Sequence, residues 1–301
     1  MKLCTQYITR VVCYYVSMQT LRETIMAARA AHRAVGHFNV SDSNQFNAVV
    51  AAAQNTNLPV IIGASEGERK FIGIHNLVAM VRSARERGMQ VYLNGDHTYS
   101  VEGVKEAIDA GFDAVIFDGS ALEYADNVAK AKECVAYARA CGREVLIEGE
   151  IGRIGTSSKI LDAVPENVDK VLTSPEQALQ FVTDTGVDLL APAVGTMHGI
   201  LRSGEPKQIN VEQVGKIAAA VSVPMVLHGG SSSTDEGFRG AVQAGIAIVH
   251  VNTDIRVAYR KGIEAGLAAS ADEIAPYRYL APGVDGVRTV VERYLKLFAG
   301  Q

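Results

Sequence analysis

Four histidines, His97, His198, His228 and His250, stand at or just beyond the ends of short apolar runs: VYLNGDH (91–97), LLAPAVGT (189–196), PMVLHGGS (224–231) and IAIVHVNTD (246–254). A lone histidine beside a strand is most often structural, but three or four converging from separate strands point to a metal or a shared proton. Three neutral imidazole nitrogens leave an open position on Zn²⁺, which then acts as a Lewis acid on a carbonyl or alkoxide oxygen. Carboxylates occupy the same kind of place: Asp96 beside His97, Asp118 after AVIF, and Glu148 and Glu150 in EVLIEGE (144–150). Asp118 and Glu150 either face the same bowl or are satisfied by helix N-termini or by Arg153. Asp96 is a candidate acid/base group if it reaches a substrate instead of the metal.

Glycine-rich turns supply a third ingredient. HGGSSS (228–233) and VNTD (251–254) offer backbone N–H groups and hydroxyls suited to a phosphate, including Gly229, Ser231, Asn252 and Thr253, and Arg256 adds a charged fork. Schiff-base chemistry is disfavoured, because none of the eleven lysines lies in an apolar run. A serine nucleophile lacks its GxSxG setting, and Cys4, Cys13, Cys134 and Cys141 fall in helical segments or near the N-terminus.

To converge, these residues need a scaffold that brings many strand ends together. The four runs above belong to a series of eight, with AVGHFNV (34–40), PVIIGAS (59–65), AVIFDGS (114–120) and EVLIEGE. Segments of helical period separate most of them, several ending in Gly. Eight strands alternating with helices predict an α/β fold, a single-domain (β/α)8 TIM barrel whose C-terminal strand ends carry the chemistry. Continuous apolar strands fit a sheet buried on both faces. No GxGxxG follows the first run and no GxxxxGK[ST] occurs, which weighs against a nucleotide-binding open sheet. Residues 151–173 form an insertion expected to be a lid, and SPEQ (174–177) reads as a capped helix start. The barrel is expected over 18–301, opening with a helix that shows Leu21, Ile25 and Ala28 on one face; residues 1–17 read as a non-catalytic extension.

Composition narrows the partners. The 301 residues carry a net charge of −4 with no basic block, against a nucleic-acid binder, and no apolar stretch is long enough for a membrane helix. The cysteine usage suits a reducing, cytoplasmic compartment.

From about Leu21 onward the motifs GHFNV, PVIIGASEG, GDH, GFDAVIFDGSALEYADNV, EGEIGRIG, TGVDLLAPAVGTMHG, PMVLHGGS and VNTD, in this order, resemble the class II, zinc-dependent ketose-bisphosphate aldolases. The resemblance implies a lyase that cleaves fructose 1,6-bisphosphate to dihydroxyacetone phosphate and glyceraldehyde 3-phosphate. Alternatives are tagatose bisphosphate or another phosphoketose, a metal-binding barrel without lyase activity, or a phosphosugar epimerase. It implies His97, His198 and His228 as zinc ligands, Asp96 as the group exchanging a proton with the C4 hydroxyl, and Asp118 and Glu150 at an alternative or second metal site. Gly199, Gly229, Ser231 and Thr253 would hold the dihydroxyacetone-phosphate end, on loops that carry a monovalent cation in some members. Asn39 and Ser65 would face the substrate, Arg256 would meet the distal phosphate, and the assembly would be a homodimer or homotetramer. Three positions depart from the family pattern. The lid reads GTSSKILDAVPEN with no carboxylate before Asp162, so Asp162, Glu166 or another group must move the proton at the enediolate carbon. His250 replaces an asparagine, as a hydrogen-bond donor, acid/base group or fourth metal ligand. Ser232 stands where glycine is usual.

Overall fold

Eight parallel strands close into a barrel in the computed structural model, which describes residues 18–152, 154, 159–163 and 172–301. The extension over 1–17, Arg153 and Glu166 lie outside the described residues. The strands are β1 (Val35–Asn39), β2 (Val60–Ala64), β3 (Val91–Thr98), β4 (Ala114–Phe117), β5 (Leu146–Ile151), β6 (Ile160–Leu161), β7 (Leu189–Pro192), β8 (Ile200–Leu201), β9 (Met225–Leu227) and β10 (Ile246–Val251). The barrel runs β1-β2-β3-β4-β5-β7-β9-β10 and closes β10 on β1, while β6 and β8 pair as a separate parallel ribbon. Each of the eight apolar runs therefore holds one barrel strand.

Alternate residues of a strand face opposite sides of the sheet, and this period orders the interior in layers. Val35, Ile61, Tyr92, Ala114, Leu146, Val226 and Ile248 form an apolar layer, packed with Leu21 and Ile25 of the helix Leu21–Ala30. That helix presents the face its sequence pattern predicts, and Thr20 and Glu23 close a capping box at its start. Two residues further along the same strands stand His37, Asn94, Glu148, His228 and His250, all buried. Two further still come Asn39, Asp96, Asp118, Glu150 and Asn252. The opposite strand faces, including Phe38, Ile62, Leu93, Phe117, Ile147, Leu227 and Val249, pack on the surrounding helices. Both faces are buried, so the strands read as nearly continuous apolar runs.

The punctuation of the sequence has its structural counterparts. Ser174 caps the helix Pro175–Thr185 with Pro at its first position and Gln177 completing the box, and Gly186 ends it in the left-handed region. Among the described residues no helix is long and apolar enough to cross a membrane.

Candidate metal centre and phosphate cradle

His97 ends β3, His198 follows β7, His228 follows β9 and Glu150 lies on β5; one ligand atom from each falls within 4.8 Å of the others. His97 Nε2 and His198 Nε2 are buried and have no hydrogen-bond partner, while His228 Nδ1 and Glu150 Oε2, also buried, lie 2.9 Å apart as an ion pair. Buried polar atoms are rarely left unpaired, and Lewis bases gathered this closely can be satisfied together by a cation. Three imidazoles that leave a further position open are the donor set of a catalytic zinc site, with Glu150 beside them, so these residues fit the metal their spacing suggested.

The far side of two of these rings is fixed. His97 Nδ1 lies 2.8 Å from Asp118 Oδ2, and His228 Nε2 lies 2.8 Å from Glu148 Oε1. Such partners set which ring nitrogen keeps its lone pair and raise its basicity. Asp118 is itself fixed by the N–H and hydroxyl of Ser120, so it orients His97 and does not join the four-residue cluster. The carboxylates load the point with negative charge. Burial disfavours a charged His97, yet Asp96, Asp118 and Glu150 raise it to about 9. Burial likewise opposes the charging of His228, yet Glu148 and Glu150 push it well above its ordinary value. His198 lacks such a carboxylate, and burial with the neighbouring His97 and His228 drives it well down.

Asp96 stands beside this centre. Its Oδ2 accepts from Asn39 Nδ2 at 2.8 Å, and Oδ1 lies 3.5 Å from His250 Nδ1 and 3.9 Å from His97 Nε2 without a hydrogen bond. Burial works against its ionisation, but His97 and His250 hold the carboxyl well below the usual range. It is held in its ionised form. His250 is drawn towards Asp96 and stacks on His37, whose position opposite it is set by the β1–β10 register; the ring centroids are 3.5 Å apart and the planes differ by 1°. Burial pushes His37 down to about 4, and burial with His37 and His228 drives His250 well down, so this pair is neutral. Parallel rings hold their lone pairs in parallel planes, a poor arrangement for sharing one ion with Asp96.

A small inner cavity is lined by Asp96, His198, Gly199, Gly229, Ser231, His250, Asn252 and Thr253. It adjoins an outer cavity of about 540 Å³ bordered by Ser65, Tyr99, Lys159 and Arg256. Thr253 begins the helix Thr253–Ala269, and its N–H donates to Ser231 Oγ at 3.1 Å. A helix start and glycine-rich turns favour an anion through their N–H groups. Gly229 has φ +63°, and a Cβ there would lie 2.5 Å from the Met197 carbonyl carbon, so the two loops touch where only glycine fits. Ser232 adopts φ +64°, the conformation for which glycine is suited, and its N–H donates to Asp254 Oδ2 at 3.2 Å.

At the outer rim Arg256 pairs with buried Glu68, which also accepts from Asn39, Ser41 and Ser65. Asp162 is not brought to the bowl. Its carboxylate is exposed and pairs with Arg202 at 2.7 Å, because the two residues directly follow Leu161 and Leu201, which are partners in the β6–β8 ribbon. Reading strand ends alone passed over His37, which lies two residues before Asn39, and the partner roles of Glu148 and Glu68. The inward period of two was the available signal for the first two; Glu68 sits on a helix and carried none.

A family model described as "Fructose-bisphosphate aldolase class-II" matches residues 19–301. A fructose-bisphosphate aldolase of Staphylococcus aureus (strain Mu50) is 32% identical over 283 residues, covering 93% of this chain and 96% of its own. One from Geobacillus stearothermophilus is 34% identical over 280 residues, covering 92% and 95%. Among solved structures, the YdjI aldolase from Escherichia coli K12 superposes with a TM-score of 0.78 at 28% identity, covering 92% of this chain and 96% of that one.

Proposed function

This chain belongs to the class-II fructose-bisphosphate aldolase family, a family of metal-dependent lyases, and we propose that it cleaves and forms the C3–C4 bond of a ketose 1,6-bisphosphate, fructose 1,6-bisphosphate first. The observation that carries this reading is the convergence of the buried rings of His97, His198 and His228 beside an ionised Asp96. Those histidines would hold zinc, with Glu150 at hand for a second binding position. Bound there, the metal supplies Lewis-acid stabilisation of the charge that develops on the substrate's oxygens.

The chain's own groups do the rest. Asp96 takes the proton from the C4 hydroxyl as the bond breaks and returns it in the reverse direction. Asn39, donating to Asp96 and Glu68, fixes the carboxylate's orientation. His250 hydrogen-bonds a substrate hydroxyl from the inner cavity wall. Gly199, Gly229, Ser231, Asn252 and Thr253 hold the phosphate of the dihydroxyacetone end, and Ser65 and Arg256 face the distal end. Asp162, paired with Arg202, is left out of this scheme. A homodimer or homotetramer in the cytoplasm completes the reading by family likeness.

Arg256 already engages Glu68, which favours a second reading in which the distal end of the ketose differs, as in a phosphorylated ketose without the 6-phosphate; tagatose bisphosphate, the C4 epimer, keeps that phosphate. The test is triose-phosphate release from fructose 1,6-bisphosphate, with chelator and with added Zn²⁺. Cleavage lost on chelation and restored by zinc supports the first reading. Stoichiometric zinc without cleavage rejects that substrate and passes the test to the other ketoses.

A further inference from the structure

Lys207 lies between β8 and the helix Val211–Ala220, and it is 7% exposed. Its Nζ donates to the Met197 carbonyl at 2.6 Å and to the Gly229 carbonyl at 2.9 Å. Met197 immediately precedes His198, and Gly229 immediately follows His228. The main chain of Lys207 is tied to the same region, its N–H donating to the Ser232 carbonyl at 3.3 Å and its backbone bridging to Ser233. A buried ammonium is ordinarily met by a carboxylate, but here its acceptors are carbonyl oxygens from two loops that touch at Gly229. Converging main-chain carbonyls are the ligands that replace the water shell of a monovalent cation.

We propose that the ammonium of Lys207 is a built-in monovalent cation of the phosphate cradle. It fills the carbonyl site made by Met197 and Gly229, fixes the His198 and His228 loops against each other, and places a positive charge behind the Gly229–Ser231 turn. No potassium, sodium or ammonium ion is then required there. The last part rests on the reading that a substrate phosphate binds at this turn. Burial lowers the ammonium only to about 8, so the group keeps its charge at neutral pH, with Asp254 favouring that form. A charge fixed in a poorly solvated wall strengthens the neighbouring N–H···phosphate contacts more than the same charge in water would.

The experiment uses the full, zinc-loaded chain and the variants Lys207→Ala and Lys207→Met, each in tetramethylammonium, potassium and ammonium buffers of equal ionic strength. Melting temperature is followed by calorimetry, and binding of inorganic phosphate by titration. Wild type should melt alike in all three buffers. Lys207→Ala should melt lower in tetramethylammonium, bind phosphate about tenfold more weakly, and recover both properties in potassium or ammonium, which fit the emptied site. Lys207→Met, which refills the site with an apolar chain, should not recover. If Lys207→Ala does not fold in tetramethylammonium, refolding yields in the three buffers take the place of melting. An alanine variant indifferent to the cation, or a wild type that responds as strongly as the variant, overturns the proposal. Should wild type bind no phosphate while the alanine variant still regains its melting temperature, the internal cation stands and the phosphate reading fails.

Discussion

Glu148→Gln tests whether the metal centre depends on the orientation of His228. The His228–Glu148 pair is almost fully buried, with side-chain exposures of 0% and 1%, so no water replaces a lost partner. With Nε2–H donated to Glu148, the lone pair of Nδ1 is free for the metal. Glutamine keeps an acceptor oxygen at nearly the same position but removes the charge that makes the ring a stronger base. Changes to such supporting partners cost about 10- to 100-fold in metal affinity, or roughly 1.4–2.7 kcal/mol. Since geometry is retained, the Gln variant belongs at the lower end. Glu148→Ala belongs at the upper end, with an additional loss of stability of about 1–3 kcal/mol for leaving Nε2–H unsatisfied. Zinc affinity is measured by competition with a chromophoric chelator, and stability by urea unfolding of the metal-free forms. A Gln variant with unchanged zinc affinity would refute the orienting role. Complete loss of zinc would refute it differently, by making Glu148 a ligand.

His97→Ala should no longer retain zinc in stoichiometric amount after dialysis, as read by elemental analysis; full retention removes His97 from the ligand set. Asp96→Ala should keep metal and fold but lose about 10²–10⁴-fold in cleavage rate, and near-normal turnover rejects its proton-transfer role. Gly229→Ala should unfold at lower urea concentration and bind phosphate more weakly, because its Cβ would meet the Met197 carbonyl carbon at 2.5 Å; an unchanged unfolding midpoint would mean the loops can separate freely. For Lys207 the folded pKa of about 8 lies below the ordinary lysine value of 10.5, so between these pH values the unfolded chain holds a proton that the folded one has released. The stability difference between wild type and Lys207→Met should therefore shift in favour of wild type as pH rises through that window, while phosphate affinity of wild type falls. A stability difference flat from pH 7 to 10.5 contradicts a depressed lysine.

The eight strands and the principal helices between them were legible because each strand is buried on both faces and several helices carry their own stops, as Gly111 and Gly186 do. The convergence of His97, His198 and His228 was legible for a related reason: a polar residue at the end of an apolar run has no ordinary place in a buried sheet. His37 sits inside such a run, and its role follows from lying opposite His250 across the β1–β10 pairing, a register the sequence does not state. Arg256 and Glu68 are 188 positions apart, so the pair that occupies the expected phosphate fork appears only in three dimensions. Asp162 was drawn to the site by its place in the lid, but the β6–β8 ribbon, joining residues 40 apart, sets it beside Arg202 instead. Lys207 lies in no element whose period could point it inward.

The layering of the barrel explains why this centre can be both charged and stable. Beneath the site, Leu21 and Ile25 close the barrel against Tyr92 and its apolar neighbours, so the polar layer is sealed from below. Asp96, Glu148 and Glu150 are then buried where the effective dielectric is low and an unneutralised carboxylate is costly. His97 and His228, raised by these carboxylates, supply the positive charge as protons. A divalent cation binding to the same nitrogens must displace those protons, so metal affinity and proton affinity are two measures of one negative potential. The same carboxylates that make the bowl receptive to a metal therefore also tie its occupancy to pH. Lys207, whose Nζ faces the Met197 and Gly229 carbonyl oxygens instead of this cluster, stands outside that exchange.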